Sequence, residues 1–288
     1  MELLDKKAII TGASTGLGKT IAEEFVREGA HIVICARNLK KLKETENHLK
    51  KLSSKPDQII SSVRCDISKK DEVEQFFSYA NNRLYGLDIL INNAGIYGPI
   101  GESEKVDFNL WAESISINLL GPFYLSQLAL IHFKAQKSGK IINISGGGAT
   151  SPLPNISSYA AAKAGIVRLT ETLAKEVEPY GIDINAIAPG ALNTKLLDQV
   201  IEAGWEKVGK SFYQKALQQQ KSGGAPLEKG AKLCVFLASD KSMGITGKLI
   251  SAIWDPWETL GEHTKQLSSS DIYTLRRIVP EDRGKKWD

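Results

Sequence analysis

Tyr159 and Lys163 are the residues of this 288-residue chain whose types and spacing point most directly to a reaction. They are four positions apart, so on a helix their side chains share one face, about one turn apart. A tyrosine hydroxyl, with an unperturbed pKa of about 10, exchanges a proton near neutral pH only if a neighbouring cation stabilises its phenolate. The pair is therefore suited to acid–base chemistry, although a Tyr and a Lys at this spacing also occur by chance on many helices.

A glycine-rich segment near the N-terminus, TGASTGLG at residues 11–18, separates an apolar run from a segment of helical character. Glycines are needed where the backbone must turn tightly and approach a pyrophosphate, whose charge is then held by amides and by the dipole at the helix start. The pattern predicts a dinucleotide site, and a tight turn without a ligand is the alternative. Its spacing is TGxxxGxG, not GxGxxG.

The elements that must position these residues alternate along the chain as short Ile- and Val-rich runs and longer segments of helical period. This pattern is typical of a parallel sheet with helices on both faces. We predict strands near residues 8–11, 32–36, 59–65, 89–92, 140–145, 183–188 and 249–253, and helices near 18–28, 39–51, 70–82, 108–135, 158–177 and 227–238. The fold class is therefore α/β: a Rossmann-type, doubly wound, seven-stranded parallel sheet in one domain, residues 1–253.

Two regions depart from this alternation. Residues 194–224 contain several aromatic residues and end in two glycines, and we predict a mobile helical lid there. An amphipathic helix packed on the surface is the alternative. Residues 254–288 lie beyond the last predicted strand and carry four apolar residues between positions 272 and 279. We expect this C-terminal extension to dock on the domain or on a neighbouring subunit.

The composition, 42% hydrophobic and 24% charged, is that of an ordinary globular protein. The net charge of +4 comes from scattered residues, so nucleic acid is not an expected partner. Cys35, Cys65 and Cys234 form no CxxC pair, so we expect no metal site and a reducing cytoplasm. Polar residues interrupt the uncharged stretches 114–133 and 141–159, and the N-terminus carries acids, so neither a membrane span nor a secretory signal is expected.

Three further motifs follow along the chain. The sequence Asn92-Asn93-Ala94-Gly95 follows the fourth predicted strand, Asn118 lies in a long predicted helix, and Pro189-Gly190 precede Thr194. With the glycine loop and the tyrosine–lysine pair, they resemble, in order and over about residues 5–253, the motifs of the short-chain dehydrogenase/reductase family. The TGxxxGxG and YxxxK spacings are those of its compact subclass. The resemblance implies the same fold and a nicotinamide cofactor.

The resemblance also implies roles for individual residues. Tyr159 is the acid or base, Lys163 stabilises its phenolate and holds the nicotinamide ribose, and Asn118 holds a water that links the lysine to solvent. For Asn118, a buried side chain at a helix kink is the alternative. Asp66 resembles the family residue that contacts adenine, and capping of the next helix is its alternative. The cofactor-binding positions implied are Gly12, Ser14, Thr15, Gly16, Leu17, Gly18, Arg37, Asp66, Ile67, Asn93, Ala94, Gly95, Tyr159, Lys163, Pro189, Gly190, Leu192 and Thr194.

The end of the second predicted strand determines which cofactor is preferred. An acidic residue there binds the ribose 2′-hydroxyl of NAD, whereas a guanidinium suits the 2′-phosphate of NADP. Ala36 occupies the position of the acid and Arg37 follows it, so we predict NADP(H), with NAD(H) as the alternative. Two points oppose this prediction. Arg37 is also explained as a solvated surface residue, and Thr15 stands where members that prefer NADP often have a basic residue.

One position departs from the family pattern. The family's catalytic serine usually lies thirteen positions before the tyrosine, and Gly146 occupies that position here. Ser145 is adjacent, but neighbouring side chains on a strand point to opposite faces unless the backbone bulges. Thr150 or an amide of the glycine run could instead donate a hydrogen bond to the substrate carbonyl. Ser145, Gly146 and Thr150 are therefore the candidate substrate contacts.

We therefore expect an NADP(H)-dependent oxidoreductase that interconverts a ketone and a secondary alcohol by hydride transfer. The alternative is an NADP(H)-binding protein of the same fold whose catalysis is weak or lost because Gly146 replaces the serine. Gln218–Gln220 and the tryptophans of the tail would suit a sugar-like small molecule, or equally packing between subunits. The resemblance implies a homodimer or homotetramer joined through helices 108–135 and 158–177.

Overall fold

Seven strands form the sheet of the computed structural model, which describes residues 1–53 and 55–287. The strands are β1 Lys7–Thr11, β2 His31–Ala36, β3 Ile60–Arg64, β4 Ile89–Asn92, β5 Gly139–Ile144, β6 Ile182–Ala188 and β7 Leu249–Ser251. All are parallel, in the order β3-β2-β1-β4-β5-β6-β7. The predicted Rossmann-type fold is confirmed. The predicted strands extended too far at four ends: β3 begins at Ile60 and ends at Arg64, β5 ends at Ile144, and β7 ends at Ser251.

The helices flank the sheet on both faces. They are α1 Gly16–Arg27, α2 Leu39–Leu52, α3 Lys70–Leu84, α4 Phe108–Ile115, α5 Gly121–Gln136, α6 Ser157–Glu176, α7 Lys195–Ala203, α8 Trp205–Val208, α9 Lys210–Ser222, α10 Leu227–Ala238 and α11 Thr264–Ser268. Short 3₁₀ helices occupy Glu178–Tyr180, Asp240–Ser242, Trp257–His263 and Pro280–Arg283.

Two apolar layers hold the helices to the sheet, because successive side chains of a strand face opposite sides. In β1, Ala8 and Ile10 join the layer under α1, α2 and α10, whereas Ile9 joins the layer under α3 and α5. A strand buried on both faces has no polar alternation, which is why the sequence shows continuous apolar runs.

The predicted helix 108–135 is interrupted where Asn118 lies. A π-helical turn, Ser116–Leu120, separates α4 from α5. By length and composition, the whole stretch Phe108–Gln136 is long and apolar enough to cross a membrane. Half of the residues in its most apolar part are buried inside the protein. Its inner side chains, including the fully buried Phe133, pack into the second apolar layer, as in a core helix of an α/β protein.

Residues 194–224 form α7, α8 and α9, separated by Gly204 and Gly209. The inner faces of these helices bury Leu197, Val200 and Ala216 in a third apolar cluster, which also contains Tyr159. The segment is therefore helical, as predicted, and lies against the tyrosine. Its mobility stays a prediction.

The segment after α11 runs along the open edge of β7. The amide of Leu249 donates to the carbonyl of Tyr273 at 2.8 Å. The buried ammonium of Lys248 donates to the carbonyls of Ser270 and Ile272, at 2.9 Å each. Leu275 packs on a fourth small apolar cluster that includes Val167 of α6. These contacts cover an edge that would otherwise present unpaired backbone groups.

Candidate active site

A cleft of about 1120 Å³ lies at the carboxyl ends of the strands, beside the point where the strand order reverses between β1 and β4. Every predicted catalytic, cofactor-binding and candidate substrate-contact position except Asn118 lines it. Those lining positions are Gly12, Ser14, Thr15, Gly16, Leu17, Gly18, Arg37, Asp66, Ile67, Asn93, Ala94, Gly95, Ser145, Gly146, Thr150, Tyr159, Lys163, Pro189, Gly190, Leu192 and Thr194. The fold thus brings together residues from most of the chain.

The glycine loop is pressed against the segment that follows β4. Gly12 has φ +66°, and a Cβ there would lie 2.7 Å from the Cα of Ala94. The hydroxyl oxygen of Thr11 accepts hydrogen bonds from the amides of Asn93 and Ala94, at 3.0 and 3.1 Å. The loop therefore requires glycine for close approach as well as for conformation.

The start of α1 is suited to an anion. Its N-cap, Thr15, makes no side-chain capping bond, and its first turn carries no acidic residue. The amides and the helix dipole are therefore left for a negatively charged group. A dinucleotide pyrophosphate fits this end of the cleft.

The adenosine end of the cleft contains Arg37 and Asp66. The Arg37 side chain is 51% exposed, and its Nη1 lies 3.8 Å from Oε1 of Glu113 on α4. Asp66 Oδ1 accepts from the amide and the hydroxyl of Ser68, at 3.1 and 2.7 Å. Burial acts to raise the pKa of Asp66, but the Ser68 hydrogen bonds and the charge of Arg37 hold it below its usual value. Asp66 therefore orders the turn before α3, whose N-cap residue is Lys69, rather than capping the helix itself.

Tyr159 and Lys163 lie on the inner face of α6, as their spacing predicted. The Lys163 Nζ donates to the carbonyl of Ile144 at 2.7 Å and lies 5.4 Å from the centre of the Tyr159 ring. Burial lowers the pKa of Lys163 to about 8. Burial, followed by the neighbouring Tyr97, raises the pKa of Tyr159. The phenol thus holds its proton here, next to a lysine that is largely charged at neutral pH.

Asn118 does not line the cleft but lies directly behind it. Its Nδ2 donates to the carbonyl of Ile96 at 2.8 Å, and its Oδ1 accepts from the Ile96 amide at 3.2 Å. A Cβ on Gly95 would lie 2.7 Å from that Oδ1 and 3.7 Å from the Lys163 Nζ. The asparagine sits in the π turn and fixes the loop after β4, which agrees with the helix-kink alternative.

The positions around the missing serine differ in orientation. A Cβ on Gly146 would lie 2.6 Å from the Tyr159 hydroxyl, so this position faces the tyrosine. The Ser145 hydroxyl donates instead to the carbonyl of Lys163 at 3.3 Å and is buried. Thr150 is exposed at the cleft. Of these side chains, Ser145 is engaged with the helix and does not replace the missing group.

Several lining residues were not predicted as site residues. Tyr97 meets the Tyr159 ring edge to face, with centroids 4.7 Å apart, and Leu153 and Phe212 also line the cleft. Tyr97 stands two positions after the NNAG motif, and that proximity was the available signal. Of the polar residues considered for a substrate, Gln219, Gln220 and Trp254 reach the cleft. Trp257 is buried in the core, and Trp287 is exposed.

Comparisons with known proteins agree with this geometry. The family model described as short chain dehydrogenase matches residues 6–204. The chain is 34% identical over 252 residues to 3beta-hydroxysteroid dehydrogenase 1 of Eggerthella lenta, covering 85% of this chain and 91% of that protein. It is 32% identical over 258 residues to a 3-oxoacyl-(acyl-carrier-protein) reductase of Thermotoga maritima, covering 87% and 97%.

Solved structures give the same result. Levodione reductase superposes with a TM-score of 0.79 at 27% identity, covering 93% of this chain and 100% of that one. An actinorhodin polyketide ketoreductase with NADPH superposes with a TM-score of 0.78 at 25% identity, covering 87% and 97%. The chain belongs to the short-chain dehydrogenase/reductase family of NAD(P)(H)-dependent oxidoreductases.

Proposed function

We propose that this protein is an NADP(H)-dependent oxidoreductase that interconverts a ketone and a secondary alcohol, with Tyr159 as the acid or base. The observation that carries the proposal is the position of the Tyr159–Lys163 pair, which lines the same cleft as the glycine loop. One end of the cleft suits a dinucleotide, and the other presents a protonated phenol beside a cation.

Separate groups of residues bind the cofactor, transfer the proton and hold the site in place. The start of α1 and the segment after β4 hold the cofactor phosphates and ribose, and the cofactor supplies or accepts the hydride when bound. In the reductive direction, the Tyr159 hydroxyl gives its proton to the carbonyl oxygen. Lys163 stabilises the resulting phenolate by its charge. Asn118 bonds both backbone groups of Ile96 and so holds the loop at Gly95 and Ile96 in place. Gly95 in this loop faces the ammonium of Lys163.

The preference for NADP(H) rests on Arg37. It follows β2, lines the adenosine end of the cleft and is half exposed, so its guanidinium is free to meet a 2′-phosphate. Ala36 offers no carboxylate to a ribose 2′-hydroxyl. The one ion pair of Arg37 within the described ranges is the 3.8 Å contact with Glu113, which is long and exposed. Such a pair costs little to break.

A substrate with several hydroxyl groups is supported by the polar side chains at the open end of the cleft. Gln219 and Gln220 on α9 supply amide donors and acceptors, and the 84% exposed Trp254 also lines the cleft. Amides match hydroxyl groups, and an indole face packs on a sugar ring. We therefore propose a small keto-sugar or a related polyol as the substrate class.

We also propose a homo-oligomer, joined through α4–α5 and α6. Phe108 of α4, Leu120 of the π turn and Ile131 of α5 are exposed, at 76%, 54% and 69%. Contact with a second copy would cover such large apolar side chains. Sedimentation at micromolar concentration tests this proposal, because a monomer would contradict it.

The second candidate function is an NADP(H)-binding protein with weak or lost catalysis, and Gly146 favours it. The variant Gly146→Ser separates the two candidates. If catalysis has decayed for lack of the hydroxyl, the serine raises turnover. If Tyr159 is in its working position, turnover falls, because the new Cβ would lie 2.6 Å from the phenol oxygen and displace it.

The test of the main proposal is NADPH consumption with 2,3-butanedione, menadione and D-fructose, run on the wild type and on Tyr159→Phe. Turnover in the wild type that is lost in Tyr159→Phe supports the reductase. Tyr124→Phe is the control, because Tyr124 lies outside the cleft and its hydroxyl donates to Glu74. Equal turnover in the wild type and Tyr159→Phe would refute the role of the phenol.

A further inference from the structure

Gly146 leaves the site with one hydroxyl fewer than the family pattern, and a second phenol ring in the cleft lies against the ring of Tyr159. We propose that the Tyr97 hydroxyl donates a hydrogen bond to the substrate carbonyl oxygen and so replaces the missing serine. This inference rests on the function proposed above, because it needs a carbonyl bound at Tyr159.

The neighbouring hydroxyls do not fill that role. Ser145 donates to the carbonyl of Lys163 at 3.3 Å and is buried, so its proton is already committed to α6. Thr150 is exposed, beyond the Gly146–Gly148 turn. Tyr97 lines the cleft as Ser145 and Thr150 do, but its ring lies directly against that of Tyr159.

The ring of Tyr97 is fixed against the ring of Tyr159. The two ring planes meet at 75°, with 4.7 Å between their centroids. Among residues 1–53 and 55–287, the hydrogen bonds of Tyr97 run to its backbone carbonyl, and no protein group bonds either phenol oxygen. Two hydroxyls free of protein partners at one end of a cleft are suited to share a single substrate oxygen, which has two lone pairs.

Hydrogen bonds also hold the backbone of Tyr97 in place. Its carbonyl accepts from the hydroxyl of Ser158 at 3.3 Å and from that of Ser114 at 3.5 Å. Ser158 is the residue before Tyr159, so this hydrogen bond connects the backbone at Tyr97 to the start of the helix that carries Tyr159. The preceding residue, Ile96, is held through both backbone groups by Asn118. A donor that is positioned before the substrate arrives loses little free energy in reorganisation.

The two phenols differ in what surrounds them. Lys163 lies 5.4 Å from the Tyr159 ring, and no cation lies over the Tyr97 ring among the described residues. Burial also raises the pKa of Tyr97. A Tyr97 phenolate would lack the stabilisation that Lys163 gives to Tyr159, so we assign Tyr97 a hydrogen bond and no proton transfer.

The reduction balances with these roles. The carbonyl carbon receives the hydride from NADPH, the C=O π bond breaks, and the oxygen takes the proton of Tyr159. The phenolate of Tyr159 is reprotonated from solvent. Tyr97 donates a hydrogen bond to the oxygen as negative charge develops there, and it transfers no proton.

The test is Tyr97→Phe, which removes the hydroxyl and keeps the ring. With the carbonyl probe of the panel that the wild type reduces fastest, we expect kcat to fall about 10²-fold, the usual effect of losing one such donor. The affinity for NADPH, followed by its fluorescence, should stay within about twofold, because the ring contact and hydrogen bonds of Tyr97 in the described part of the chain are with Tyr159, Ser114 and Ser158. The control is Tyr213→Phe, since Tyr213 packs on the same apolar cluster but does not line the cleft.

Two results would decide against the inference. A kcat within about threefold of wild type in Tyr97→Phe, with turnover lost in Tyr159→Phe, would overturn it and leave the proposed function intact. Turnover that survives in Tyr159→Phe would overturn both. Tyr97→Leu separates ring packing from the hydroxyl: if only the ring matters, Leu lowers kcat and Phe does not.

Discussion

Arg37→Ala should weaken the binding of NADPH and leave that of NADH nearly unchanged. A hydrogen bond to a charged group contributes about 1.5–3 kcal/mol. Because the Arg37 side chain is 51% exposed, we expect the lower half of that range. The guanidinium must also leave its contact with Glu113, but an exposed pair at 3.8 Å costs well under about 1 kcal/mol to separate. About 1.5–2 kcal/mol corresponds to a roughly 10- to 30-fold rise in the Kd for NADPH.

The measurement is a fluorescence titration of both reduced cofactors against the wild type and the variant. Arg64→Ala is a matched control, because Arg64 ends β3, is similarly exposed at 50% and does not line the cleft. Equal losses for NADPH and NADH, or a loss as large in Arg64→Ala, would refute the assignment of the 2′-phosphate to Arg37.

Three further predictions concern the charge of Lys163, the glycine loop at Gly12 and the edge of β7 that the C-terminal segment covers. Burial lowers the pKa of Lys163 to about 8, so turnover should fall as pH rises through about 8, when the ammonium beside the phenol is lost; a rate that stays flat from about pH 7 to about pH 9.5 would contradict this. Gly12→Ala should abolish binding of both cofactors, measured by calorimetry, since its Cβ would lie 2.7 Å from a backbone carbon, whereas Gly223→Ala, with positive φ but open space, should bind normally. Lys248→Met should lower the free energy of unfolding by about 1–3 kcal/mol, because two carbonyls of the tail lose their donor, and thermal melting should show no such loss in the exposed Lys175→Met.

The sheet could be predicted because its sequence signals are local. Strands buried on both faces are apolar nearly throughout, and the Ile-rich runs at β1 and β2 match this pattern. The positions in the glycine loop followed from the needs of a phosphate. The spacing of Tyr159 and Lys163 placed both on one face of α6, and the structure has them there.

The parts that were not predicted depend on contacts between distant segments. Asn118 lies in the π turn and its side-chain amide bonds both backbone groups of Ile96, a contact that the sequence of the helix does not show. The direction of the Ser145 hydroxyl depends on a carbonyl of α6. The C-terminal segment covers the edge of β7 through hydrogen bonds from the Lys248 ammonium to the carbonyls of Ser270 and Ile272, more than twenty residues away. The contact between the rings of Tyr97 and Tyr159 joins the loop after β4 to α6, and neither segment's sequence shows it.

We propose that this chain moves a hydride from NADPH to a carbonyl carbon while Tyr159 supplies the proton. The decisive experiment reduces 2,3-butanedione or D-fructose with NADPH that carries deuterium at both C4 positions of the nicotinamide, and analyses the product by mass spectrometry. We predict an alcohol that carries one deuterium on its carbinol carbon, formed by the wild type and not by Tyr159→Phe. A product without deuterium, or the same deuterated alcohol at the same rate from Tyr159→Phe, would contradict the account.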